Sequence, residues 1–163
     1  MKLASPELLH KSDKNAVKLN INEDNFEKAY NELMKIPVKK DGVILQKFMH
    51  GKDILLGLKK DPTFGHVIVV GIGGIYAEVM KDVSMRIVPI KKSDAVEMLK
   101  ELKSYKILEG FRGEKVNINL IVDELMKLSK LSEKYPEIKE LDINPLIANE
   151  HHVKVVDARI IFD

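Results

Sequence analysis

The stretch that most constrains the fold lies near the C-terminal end. Leu141-Asp142-Ile143-Asn144-Pro145-Leu146-Ile147 and Val153-Lys154-Val155-Val156-Asp157-Ala158-Arg159-Ile160 flank the polar cluster Asn149-Glu150-His151-His152. Two runs of branched apolar residues around a short polar break predict a β-hairpin. With the cluster as the loop, Ala148 pairs with Val153, Asn144 stands opposite Asp157, and Asp142 stands opposite Arg159. Cross-strand partners share a face with Cβ atoms about 5 Å apart, so an amide oxygen and a carboxylate converge beside a second carboxylate. Hard oxygen ligands on rigid strands suit Mg²⁺, which uses one or two protein groups and leaves its other positions to water and phosphate. The same residues also read as an Asp142–Arg159 surface ion pair with Asn144 shaping a turn before Pro145.

Composition narrows the class. Of 163 residues, 45% are apolar and 32% charged, the balance of a globular domain with one core. The net charge of +2 argues against a nucleic-acid surface, and the lysines alternate with Glu and Asp as on solvated helix faces. No apolar run reaches membrane-spanning length, and the first residues lack the pattern of a signal peptide. The absence of cysteine excludes thiolate chemistry and a disulfide framework, and fits a cytoplasmic protein. Abundant Lys, Glu and Ile resemble a thermophile's composition.

In chain order, Met1-Lys2-Leu3-Ala4 reads as the end of a strand, and Ser5-Pro6-Glu7-Leu8-Leu9 as a short helical turn begun by Pro6. The polar loop His10-Lys11-Ser12-Asp13-Lys14-Asn15 follows, then an alternating strand Ala16-Val17-Lys18-Leu19-Asn20-Ile21. Asn22 or Asp24 is placed to cap a helix with Phe26, Ala29, Tyr30, Leu33 and Met34 at helical spacing. After Pro37 and the turn Asp41-Gly42, Val43 to Met49 and Asp53 to Leu58 read as two strands joined across His50-Gly51-Lys52.

Asp61-Pro62 turns the chain towards the buried strand Val67-Ile68-Val69-Val70. Gly71-Ile72-Gly73-Gly74-Ile75-Tyr76 then fails the dinucleotide fingerprint, since Tyr76 stands where the last glycine is needed. Ile87-Val88-Pro89-Ile90 reads as a strand, and Ser93 or Asp94 caps a helix carrying Ala95, Met98, Leu99 and Leu102. The segment Leu108 to Gly113 is a loop around Arg112. Asn117 or Asn119 opens the longest helix, with Leu120, Ile121, Leu125, Leu128 and Leu131 on its buried stripe, ended by Tyr135-Pro136. The expected architecture is one α/β (α+β) domain with a mostly antiparallel sheet and about three substantial helices.

Three stretches together resemble a known family. They are Ser5-Pro6 with His10-Lys11-Ser12-Asp13; Asp61-Pro62, Phe64-Gly65, Gly71-Ile72-Gly73-Gly74, Glu78-Val79, Lys81-Asp82-Val83-Ser84, Arg86 and Pro89; and Glu140 to Leu146 with Val156-Asp157-Ala158-Arg159-Ile160. Their order and spacing are similar to the ATP-grasp subunit or domain of NDP-forming acyl-CoA synthetases, in particular ADP-forming acetyl-CoA synthetases. The resemblance implies an ATP-grasp-like fold over residues 1–163 that binds ATP or ADP with Mg²⁺. It also implies phosphoryl exchange with a phosphohistidine on a CoA-binding, alpha-type partner subunit, in a cytoplasmic oligomer.

By matching position, Asn144 and Asp157 are the expected Mg²⁺ ligands, with Asp142 behind them. Lys2 is expected at the nucleotide phosphates, and Gln46, Lys47 and Phe48, after Leu45, along the adenine pocket. His10 is the expected phosphoryl relay; its other reading is a loop histidine bonded to Asp13.

Two departures stand out. The family follows the His-Lys-Ser-Asp stretch with a glycine pair before valine, whereas this chain has Lys14-Asn15-Ala16-Val17. Asn adopts positive φ far more readily than Ala, so Ala16 is the position under question. The family's unit also has a preceding segment, so the domain is expected to be incomplete at its N-terminus, with another polypeptide as one source of that segment. An enzyme part is therefore weighed against a catalytically inactive regulatory or assembly subunit, and against a stand-alone ATP-dependent ligase.

Overall fold

The computed structural model describes residues 1–8, 15–73, 81–110 and 114–163. It divides into two compact units, Met1–Phe48 and Met49–Asp163.

In the first unit, strand β1 (Lys2–Ala4) pairs antiparallel with β2 (Gly42–Ile44), Lys2 standing opposite Ile44. Helix α1 (Phe26–Met34) turns Ala29 and Leu33 into a small core with Met1, Leu3, Leu8 and Ala16. Phe26 and Tyr30, on the same helical period, remain 42% and 40% exposed, because this core is too small to cover the whole stripe. The helix begins after a reciprocal pair: the Asn22 N–H donates to Asn25 Oδ1 and the Asn25 N–H donates to Asn22 Oδ1. Lys40 Nζ donates to the Met34 and Ile36 carbonyls and so satisfies acceptors at the helix's far end.

Two expected strands of this unit are shorter than read. Ala16 to Ile21 contributes only an isolated bridge, Val17 to Lys2. Positive φ at Asn15 (53°) and Asn20 (54°) interrupts the extended run at both ends, and Leu19 is 60% exposed rather than turned inward. The run Val43 to Met49 is a strand only to Ile44; it pairs with β1 and makes no hairpin with the strand that follows.

In the second unit, β3 (Lys52–Asp61), β4 (Gly65–Ile72), β5 (Val83–Ile87), β6 (Ile138–Ala148), β7 (Val153–Val155) and β8 (Ala158–Phe162) form one sheet. Its order is β5-β4-β3-β6-β7, with β8 also on β6, and every pairing is antiparallel. The fold class is α+β. Alternation sends Ile54, Leu56, Leu58, Ile68 and Val70 to one face. There they meet helix α2 (Lys92–Lys100) through Ala95, Met98 and Leu99, and helix α4 (Ile118–Lys134) through Ile121, Val122, Leu125 and Leu128. A short helix α3 (Tyr105–Leu108), absent from the sequence reading, adds Leu108 to this core. Burying each such side chain contributes about 1.5–3 kcal/mol.

The caps follow the local chemistry. Asn117 is the N-cap of α4 and accepts from the Asn119 N–H; at α2 the N-cap is Lys91 and not Ser93 or Asp94, and Asp94 Oδ2, three residues on, accepts from the Lys91 N–H. Inside the core, the buried Ser129 hydroxyl accepts from the Ile90 N–H at 3.2 Å. Strand β5 lies earlier than expected, at Val83–Ile87 rather than Ile87 to Ile90, since Pro89 has no N–H for a ladder. Among the described residues, no helix is long and apolar enough to cross a membrane.

Candidate metal and nucleotide site

Strand β6 carries an irregularity that sets the site. Opposite β3, Leu56 pairs with Ile143 and Ile54 with Leu146, so Asn144 and Pro145 together face the single residue Leu55. That is a β-bulge, one extra residue on β6. Its sequence signature is a slip in apolar parity, Leu141 and Ile143 before it and Leu146 and Ala148 after it, all in or against the helix-side core. The bulge lets the strand keep its apolar face on the core along both halves.

On its other side β6 runs without a slip through the hairpin. Ala148 pairs with Val153, Leu146 with Val155, Ile143 with Ala158 and Asp142 with Arg159. Between them the Asn144 N–H donates to the Asp157 carbonyl at 3.2 Å, and the Val156 N–H donates to the Pro145 carbonyl at 3.1 Å. Asn144 therefore stands opposite Asp157 in the register read from the sequence. The Asn144-Pro145 bond is cis.

Ile143 packs on the core, so alternation turns Asp142 and Asn144 to the face of the sheet opposite α2 and α4. Asp142, Asn144 and Asp157 are all half-buried. A carboxamide and a carboxylate on one cross-strand pair, with a second carboxylate two residues along, form an all-oxygen donor set. This set fits Mg²⁺ and suits a softer metal poorly. Among the described residues, no group of three or more His, Cys, Asp or Glu is placed to hold a metal ion. A cation here would take its remaining ligands from water or phosphate, as Mg²⁺ commonly does.

The loop that closes the hairpin is ordered by Asn149. Its Oδ1 accepts from the His151 and His152 N–H groups, its Nδ2 donates to the His50 carbonyl, and its own carbonyl accepts from Asn117 at the start of α4. Nearby, Gly73 N–H donates to the Asp53 carbonyl at 2.7 Å. Asp53, opposite Ile147, is half-buried, and burial pushes its carboxyl pKa up. The sequence places Asp53 at the start of a strand and offers no sign that its carboxyl is half-buried.

In the first unit, Lys2 sits half-buried on β1. Gln46, Lys47 and Phe48 follow β2 as exposed residues outside any strand, Phe48 being 41% exposed. His10, Lys11, Ser12, Asp13, Lys14, Glu78 and Arg112 lie outside the described residues. Asn15 and Ala16 bear on the missing glycine pair. The positive φ falls on Asn15, at 53°, and not on Ala16, which is fully buried and whose carbonyl accepts from the Leu3 N–H at 2.9 Å. Asparagine supplies the left-handed conformation, and alanine sits in backbone that suits it. Arg86 pairs with Glu101, the residue that follows α2.

Residues 1–162 match the model of the ATP-grasp domain. The chain is 45% identical over 169 residues to acetate–CoA ligase [ADP-forming] I of Archaeoglobus fulgidus, covering 99% of this chain and 25% of that protein. It is 44% identical over 170 residues to the beta subunit of acetate–CoA ligase [ADP-forming] I of Pyrococcus furiosus, covering 99% of this chain and 73% of that subunit. Among solved structures, it superposes with a TM-score of 0.92 and 40% identity on the dinucleotide-forming acetyl-coenzyme A synthetase 1 of Ca. Korarchaeum cryptofilum, in complex with coenzyme A, Ca-AMPCP and HgCl+. That match covers 99% of this chain and 75% of that one. A second structure of the Korarchaeum enzyme, holding coenzyme A and Mg-AMPPCP with its phosphohistidine segment pointing towards the nucleotide binding site, matches with a TM-score of 0.82. The chain thus spans 25% of the Archaeoglobus ligase and 73% of the Pyrococcus beta subunit. It belongs to the ATP-grasp domain family, alongside the beta subunits of ADP-forming acetate–CoA ligases and the matching part of the longer ligases.

Proposed function

We propose that this chain is the nucleotide- and Mg²⁺-binding part of an ADP-forming acyl-CoA ligase. It acts with a CoA-binding, alpha-type subunit in an oligomer and exchanges a phosphoryl group between ADP and a phosphohistidine of that partner. The observation that carries the reading is the pairing of Asn144 with Asp157 across the bulged hairpin, on the face of the sheet opposite α2 and α4. Support comes from the beta subunits of ADP-forming acetate–CoA ligases it resembles and from the Korarchaeum enzyme, which binds Mg-AMPPCP and coenzyme A.

In this reading Asn144 Oδ1 and an Asp157 carboxylate oxygen hold the cation, and Asp142 adds negative charge beside them. When bound, the cation would supply positive charge against the phosphates. Lys2 contributes a positive charge for the phosphates. Gln46, Lys47 and Phe48 line the adenine pocket, where backbone groups recognise the base and Phe48 offers an apolar surface. In the direction of ATP synthesis, a β-phosphate oxygen of ADP attacks phosphorus, the P–N bond of the phosphohistidine breaks, and the imidazole nitrogen keeps the electron pair. His10 relays the phosphoryl group if transfer proceeds in two such steps, each exchanging one P–N or P–O bond for another.

The conformation at Asn15 and Ala16 favours this reading over that of an inactive assembly subunit, since the residues that replace the glycine pair keep the positive φ at the tolerant position. The test is titration calorimetry of the chain with ADP and ATP, with and without Mg²⁺, beside Asp157→Ala. Binding that depends on Mg²⁺ and is lost in the variant is the expected result. A folded sample that binds neither nucleotide under any of these conditions contradicts the assignment of the nucleotide site to this chain.

A further inference from the structure

Strand β8 forms an edge of the larger sheet, pairing with β6 and, among the described residues, with no other strand. The Asn144 N–H bonds to the Asp157 carbonyl, and the Asp163 N–H bonds to the Glu137 carbonyl. Odd-numbered residues thus turn their backbone groups towards β6, and alternation directs those of Ala158, Ile160 and Phe162 outwards. An edge of this kind is a template for another strand. Apart from Arg159, its side chains do nothing to discourage pairing. Ile160 and Phe162 are 46% and 56% exposed, and they stand opposite the core residues Leu141 and Ile138, hence on the helix side of the sheet. Beside them runs a groove of about 190 Å³ lined by Leu128, Leu131, Leu141, Ile143 and Val155, the last 48% exposed.

We propose that two copies of the chain associate through this edge, β8 pairing antiparallel with β8 of the second copy about a two-fold axis at Ile161. In that register Ile160 of each copy stands opposite Phe162 of the other, both with outward backbone groups, and Arg159 stands opposite Asp163. Arg159 is exposed and, among the described residues, forms no ion pair. Asp163 already holds Lys60. Self-pairing therefore brings a cation and a carboxylate together twice per dimer. The alternative centred on Ile160 also matches the backbone groups, but sets Arg159 against Ile161 and forfeits both charge contacts. Charge complementarity selects the register.

The two-fold axis stands perpendicular to the sheet, which keeps the helices of both copies on the same side. Ile160 and Phe162 from each copy then fill the seam beside helix α4 and its mate. A five-residue ladder alone falls short of the roughly 1,200 Å² typical of a specific interface; the apolar seam enlarges it. The contact is isologous and closes on itself, so it yields a dimer and not a filament.

The test is sedimentation equilibrium of the full chain over a concentration series, with circular dichroism melts to verify folding. A dimer is expected. Ile160→Lys should raise its dissociation constant about tenfold or more, as expected for an apolar anchor at the centre of an interface. Arg159→Asp should weaken it as well, and the double change Arg159→Asp with Asp163→Arg should restore it. A chain that stays monomeric at every concentration overturns the proposal, even if the edge later proves to bind the alpha-type subunit. A dimer indifferent to the β8 substitutions overturns it too, and a double variant as weak as Arg159→Asp overturns the register.

Discussion

Asp82 grips the start of helix α3 through Ser104. Its carboxylate accepts from the Ser104 N–H at 2.8 Å, from the Ser104 hydroxyl, and from the Lys103 N–H at 2.9 Å. Burial pushes the Asp82 pKa up, but the bonds from the Ser104 hydroxyl, the Ser104 N–H and the Lys103 N–H, with the Lys103 charge, more than offset this and hold it below the usual carboxylate range. A depressed carboxylate stabilises the fold above its unfolded pKa of about 3.9, and the contribution is lost as pH falls through the folded value. Asp82→Asn should therefore cost about 2 kcal/mol at neutral pH, the scale of hydrogen bonds to a charged group. The cost should shrink below about pH 3.9. Urea unfolding of both proteins across pH checks this; an equal cost at both ends would remove the charge from the explanation.

Asp53 has the opposite sign. Burial raises its pKa, so its stabilising contribution is complete below about pH 3.9 and is lost as pH rises through the folded value. Above that folded value the fold carries a half-buried charge. Asp53→Asn should be more stable than the parent at pH 7, with the advantage fading towards pH 4. Thermal melts at the two pH values measure it, and a less stable variant at pH 7 would mean that the ionised form has a favourable partner.

At Gly51 a side chain has nowhere to go. A Cβ there would lie 2.4 Å from the Ala148 carbonyl oxygen and 2.9 Å from Ile147 Cγ2, where β3 meets the far end of the hairpin. Gly51→Ala should cost at least about 2 kcal/mol, since backbone must shift to admit it. Gly65, at φ 75° with nothing within 4 Å of the added carbon, is the control. Its alanine variant should cost only the left-handed strain of about 1–2 kcal/mol. Denaturant midpoints rank the two, and a reversed order would refute the steric account.

Asn144→Ala should separate metal binding from nucleotide binding. With the carboxamide gone, Mg²⁺-dependent nucleotide affinity should fall about tenfold or more, while binding measured without Mg²⁺ stays the same. Stability should change by less than about 1 kcal/mol, as for a half-buried polar side chain away from the core. Calorimetry with and without the cation reads the first two; an equal loss in both would assign Asn144 to backbone shape and not to the metal.

The hairpin was legible because each of its parts points the same way. Branched runs, a polar four-residue break and one register place Ala148 on Val153 and Asp142 on Arg159. The long helix was equally legible from Asn117 and the spacing of Ile121, Leu125 and Leu128. The failures share a cause. Ala16 to Ile21 and Val43 to Met49 alternate like strands, yet alternation says nothing about whether a partner strand is in reach, and among the described residues none pairs with them beyond Val17 and Ile44. The bulge went unread although its mark, Leu141 and Ile143 followed by Leu146 and Ala148, was in view. A parity slip acquires meaning only when the neighbouring strand is known.

That slip also predicts how the chain tolerates length changes. Removing one residue between Ile143 and Leu146 would barely alter composition or hydrophobicity. It would restore strict alternation against β3 with Leu141, Ile143, Leu146 and Ala148 all on the core, but β6 would then be one residue short opposite β7 and β8, so either Ala148–Val153 and Leu146–Val155 or Ile143–Ala158 and Asp142–Arg159 would lose register. Most surface loops accept a lost residue by tightening; here a deletion would force the choice between the hairpin's far end and its near end. The extra residue that looks like a flaw in the strand is thus a place in this sheet where the count of residues matters more than their kind.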